Sequence, residues 1–138
     1  MIQLMTRRLD MHFGAVLLGV CVDQIASFAI GMTLALCLPT LGIASAAVGQ
    51  ALYEAACIGC GVGGGWAAAQ FARRSMVAHG VAVGLTSLAV STALGMAAHQ
   101  RMFDARGLSF ALMAFVAAVL GGWLASLLPV RRREPARA

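Results

Sequence analysis

The chain has 138 residues, 61% of them hydrophobic and 11% charged, with a mean hydropathy of +0.87. A soluble domain of this size carries about 25% charged residues, so the composition excludes an ordinary water-soluble domain and points to one compact membrane domain. The ten basic residues are all Arg and the net charge is +5, but no basic patch is interleaved with aromatics, so nucleic acid is not an expected partner.

Residues 1–12 form a short lead in which Leu4, Met5, Leu9 and Met11 suit an interface and Arg7 and Arg8 suit headgroups. The apolar run that follows is too long for a cleaved signal peptide, is interrupted by Asp23, and meets a cleavage-like Ala44-Ser45-Ala46 too late. No small residue precedes Cys21 or Cys37 as a lipoprotein site would need. The run is therefore expected to be a retained first helix, about 13–38, stopped by Pro39. Within it Ala15, Gly19, Asp23, Ser27, Gly31 and Ala35 recur at every fourth position. That spacing keeps neighbours on one helix face, and small residues on a face let another backbone approach closely in lipid.

Residues 39–50 are uncharged and rich in small residues, a loop or an early extension of the next helix. A second helix is predicted over about 50–71. It holds Gly59, Gly61, Gly63, Gly64 and Gly65, a density that costs about 1 kcal/mol per Gly in water but is retained as helix where the backbone has no water to turn to. Gly61, Gly65 and Ala69, with Gly64 and Ala68, make a second packing face. A third helix, about 76–98, repeats Gly80, Gly84, Ser87, Ser91 and Gly95. A fourth, about 108–128, contains Ala118-x-x-x-Gly122 and Gly121-x-x-x-Ala125, followed by Pro129 and a basic tail over 131–138. The expected fold is all-α, a polytopic four-transmembrane-helix bundle with short loops.

With both ends on one side, that side holds Arg7, Arg8, Arg73, Arg74, Arg131, Arg132, Arg133 and Arg137, against Arg101 and Arg106 on the other. The bias predicts cytoplasmic termini in a bacterial inner membrane. Arg131, Arg132 and Arg133 are expected to meet anionic lipid headgroups, at about 1 kcal/mol each. Tyr53, Trp66 and Trp123 are the candidate interface aromatics, with Trp66 rather deep for that role.

The segment from Gly63 to Trp66, the basic pair Arg73-Arg74, and His79-Gly80 with Gly84 resemble a pattern in small bacterial four-helix membrane proteins of unknown function. Asp23 followed by Ser27 is similar to the same group. The resemblance implies the fold and supplies no activity.

Asp23 is the leading candidate for chemistry. An acid at mid-membrane costs about 2.5–3.5 kcal/mol on insertion scales and should face the bundle. Counting from the helix ends places Thr86 and Ser87 at its level on the third helix and Gly61 on the second. Two readings follow: a satisfied acid locking the first helix to the third, or a proton- or cation-binding acid. Glu54 lies about two turns further out and suits a solvated or hydroxyl-bonded carboxylate beside Ser91 and Thr92. Cys57 and Cys60 match C-x-x-C but sit inside a span, without the helix N-terminus that activates such thiols. They read as packing residues without a metal. His12, His79 and His99 are expected at the edges, in interface or packing roles.

These features predict a non-enzyme without cofactor: a structural or accessory subunit of a homo-oligomer or larger membrane complex, packed through Gly19, Ser27, Gly31, Gly61, Gly65, Gly80, Gly84 and Gly122. The alternatives are a small proton- or cation-coupled transporter or channel using Asp23, Thr86 and Ser87, and a membrane thiol oxidoreductase resting on Cys57 and Cys60 alone.

Overall fold

The computed structural model describes residues 11–42, 45–73, 75–97 and 105–128. Within them it is all-helical: α1 (Phe13–Thr40), α2 (Ala46–Ala72), α3 (Met76–Ala97) and α4 (Ala105–Leu127). The predicted helix over about 13–38 continues through Pro39. The proline forfeits one backbone bond in the last turn, but Leu41 N–H still reaches the Cys37 carbonyl at 3.1 Å and Thr40 Oγ1 donates to the same oxygen at 2.7 Å. The helix ends at Gly42, whose φ of 71° only glycine adopts freely. α2 begins at Ala46, so most of the uncertain 39–50 segment is helical. Ala46, Ala47 and Val48 offer no reason to break the chain. Between α2 and α3, Arg73 and Ser75 turn the chain with positive φ.

α1 and α2 run antiparallel, as do α3 and α4, while α1 parallels α3 and α2 parallels α4. The register is fixed by small residues. A Cβ on Gly19 would stand 2.6 Å from the Gly64 carbonyl oxygen, and a Cβ on Gly64 would stand 2.6 Å from the Gly19 carbonyl oxygen. On the other side of α2, a Cβ on Gly65 would collide with the Ala118 carbonyl, and one on Gly121 with the Val62 carbonyl. Gly80 and Gly122 bring α3 against α4, each placing a Cβ about 3 Å from the other's Cα. Among the described residues α2 and α3 each touch the other three helices, whereas α1 and α4 do not meet.

This is a bundle with its bulk turned outward. The core includes Ala15, Val16, Gly19, Val20, Gly64, Ala68, Ala69, Val83 and Ala118, and among the described residues the largest side chains fully inside are His79 and Val83. Phe13, Ile25, Phe28, Leu36, Leu94 and Leu108 are exposed. Water would penalise that distribution; lipid, as apolar as leucine, does not. α1, α3 and the stretch Gly107–Leu127 of α4 are each long and apolar enough to cross a membrane. α2 is 27 residues long, but its glycines, Gln50, Glu54 and Gln70 lower its hydropathy.

Candidate functional site

The parallel register of α1 and α3 builds a polar layer. Gly19 faces Val83, whose Cγ2 would lie 2.7 Å from a Cβ on that glycine, and Gln24 reaches Ser91. Asp23 is one turn beyond Gly19 and Ser87 one turn beyond Val83, so the two share a level. Both are more than nine-tenths buried, with residual exposures of 9% and 7%. Across from them on α2, the glycine at 64 admits the Asp23 Cβ, which would stand 3.0 Å from a Cβ there. One turn outward, Ser27 lies beside the buried Cys60 thiol.

The expected direct lock between Asp23 and the hydroxyls of α3 is replaced by a relay. Gln24 Nε2 donates to Asp23 Oδ2 at 3.3 Å and to Ser91 Oγ at 3.4 Å. Glutamine's longer side chain spans the gap that aspartate does not. Ser87 Oγ is buried without a partner. Thr86, predicted to share the site, is exposed; adjacent helical residues point about 100° apart, so with Ser87 inward Thr86 lies outside. Gly61, Gly65, Gly80, Gly84 and Gly122 all stand at helix contacts, while Gly31 meets the Tyr53 ring, 3.0 Å from where its Cβ would lie. Ser27 is half-buried.

Near the start of α1 a second polar contact is fully enclosed. His79 has no exposed surface. Its Nε2 accepts the His12 backbone N–H at 3.1 Å, and its Nδ1 lies 3.0 Å from the Ser75 carbonyl. With Nε2 accepting, the ring proton sits on Nδ1 and donates to that carbonyl. The His12 and His79 rings stack with centroids 6.5 Å apart. His12 is the N-cap of α1 and makes no side-chain cap bond. His79 therefore takes up one unpaired N–H at the entry to α1 and ties the starts of α1 and α3 together. The sequence offers no signal for this link, because one partner is a backbone group.

Glu54 Oε1 accepts from Gln50 Nε2, one turn back, at 3.0 Å. Cys57 and Cys60 are buried free thiols; Cys21 and Cys37 are exposed. Among the described residues no group of three or more His, Cys, Asp or Glu stands ready for a metal ion. An open groove of about 410 Å³ lies where α1 meets α2 at their loop end, lined by Leu34, Leu38, Ser45 and Gly49 among others. Arg131, Arg132, Arg133 and most of the arginines that orient the chain, together with His99, lie outside the described residues.

One face was not anticipated. Ala55, Gly59, Gly63 and Ala67 follow one another at every fourth position of α2, the first two exposed and the last two half-buried. A Cβ at Gly59 or Gly63 would meet nothing within 4 Å. The spacing was readable, but the neighbouring glycines at 61, 64 and 65 carry the same composition and mask which set faces outward. No protein-family model, curated protein or solved structure matches the chain.

Proposed function

We propose that this chain is a four-span protein of a bacterial inner membrane, with α2 as the fourth span and both termini cytoplasmic, and that it acts as a helix-packing subunit of a homo-oligomer. The observation that carries this reading is the open stripe of Ala55, Gly59, Gly63 and Ala67 on α2. Every other run of glycines in α2 is spent on contacts within the chain. A second small-xxx-small stripe left open on a lipid-exposed face lets a further helix backbone approach, and in lipid that close approach is what drives association. α2 is sheltered by three neighbours, so a low hydropathy is compatible with a membrane span.

The test uses Gly59→Leu and Gly63→Leu. The added side chains point away from the chain's own core, so the monomer should keep its thermal stability. Light scattering on the detergent-solubilised protein should show wild type above monomer mass and the double variant shifted towards monomer. A wild type that is monomeric in native lipid discs overturns the oligomer reading.

A further inference from the structure

The polar layer at Asp23 has two deficits that no contact among the described residues removes. Asp23 receives one neutral amide, at 3.3 Å, on Oδ2. α1, α2 and α3 contain no Arg or Lys, and His79 lies two turns away with both ring nitrogens engaged. The titratable groups nearest the carboxyl are the Cys60 thiol and the Tyr53 hydroxyl. Neither supplies positive charge. Meanwhile Ser87 Oγ, 7% exposed, is unpartnered. Serine in a helix ordinarily returns its hydroxyl to a carbonyl one turn back; this one is left free at the level of the acid. Leaving a polar group unpaired in a low-dielectric interior is costly.

We propose that Asp23 and Ser87, with Ser27 at the edge, bind one monovalent cation of sodium size between α1, α2 and α3. The donor set is hard, a carboxylate and hydroxyl oxygens, which favours alkali over soft metals. The charge count selects a monovalent ion. Among the described residues Asp23 is the one acid in the layer, with Glu54 about two turns outward, and a divalent ion would leave an uncompensated charge. Gly64 keeps α2 free of side-chain bulk beside the acid. One ion neutralises the carboxylate and gives the Ser87 oxygen a partner. The site lies within a single chain and stands whether or not copies associate.

The experiment measures thermal unfolding of the full-length protein in detergent while sodium replaces N-methylglucamine at constant ionic strength and pH, alongside retention of radiolabelled sodium. Wild type should show a saturable rise in Tm and bind close to one sodium per chain. Asp23→Asn preserves the shape and removes the charge, and should lose both signals. Ser87→Ala removes one ligand and should weaken sodium by about tenfold, the equivalent of 1.4 kcal/mol, with the ion-free Tm unchanged or raised because the unpaired hydroxyl is gone. Thr86→Ala, on the exposed face, should behave as wild type. A wild-type Tm that ignores sodium with no retained label overturns the proposal in favour of a water or a proton at the site. A sodium response that survives Asp23→Asn overturns it equally.

Discussion

The half of the bundle where α1 and α3 begin differs in kind from the half where they end. In the first, Gly19 meets Gly64, Gly65 meets Ala118, Gly80 meets Gly122, and His79 is wholly enclosed. All five buried residues of α1 lie between Ala15 and Asp23, and those of α2 lie from Cys57 onward. In the second, α1 beyond Gln24 has no buried residue, Gly31 rests against a tyrosine ring, and an open groove separates α1 from α2. Asp23 marks the border. The difference teaches that tightness here comes from backbones brought together at glycine. Most large apolar side chains of both halves lie on the outside, and the buried cluster holds nothing larger than valine.

The comparison breaks most sharply at Gly65. Gly65→Leu forces a side chain into the Ala118 carbonyl and should cost on the order of 3 kcal/mol or more. A smaller change in the loose half, Gly31→Ala, meets only the edge of the part-exposed Tyr53 ring and should cost less than about 1 kcal/mol. Unfolding in mixed micelles of Gly65→Ala, which already drives a Cβ into the Ala118 carbonyl, against Gly31→Ala makes the matched comparison, and equal losses would erase the distinction between halves. Next in size is His79→Ala, which strands the His12 N–H and the Ser75 carbonyl and leaves a cavity, at about 2–4 kcal/mol. Hydrogen exchange should report that loss first at the start of α1. The smallest effect belongs to the border. Gln24→Leu removes the relay to Ser91, worth roughly 0.6–1.7 kcal/mol by analogy with other interhelical bonds in membranes, and should leave exchange in the glycine-packed half unchanged.

The existence of the four helices was legible because each is a long run of apolar and small residues bounded by polar or turn-forming ones; three of the four are apolar enough to cross a membrane. The ends were less so. Pro39 suggested a stop two residues early, since a sequence displays the proline's penalty but not the bonds from Leu41 and Thr40 that offset it. The spacing of small residues identified faces suited to close approach, but glycine and alanine carry no mark of which face they meet. Gly61 and Gly64 look alike in the sequence, yet one lies against α4 and the other against α1. Counting from the helix ends set Gly61 of α2 opposite Asp23, but the structure puts Gly64 beside the acid and turns Gly61 to α4. The partner of Asp23 was not legible either, because a flexible neighbour, Gln24, intercepts it. Thr86 and Ser87 were indistinguishable by depth, and only rotation about α3 separates them.

The absence of contact between α1 and α4 bears on the order in which the chain is made. α1, α2 and α3 leave the ribosome first and have mutual contacts enough to assemble. Until α4 emerges, Gly61 and Gly65 on α2 and Gly80 and Gly84 on α3 face lipid with no backbone to meet. The last helix thus closes the half-built molecule along two seams at once. A nascent chain stalled before it presents an open glycine groove to whatever helix is nearby, so the interval before α4 is inserted is when this protein is most exposed to the wrong partner.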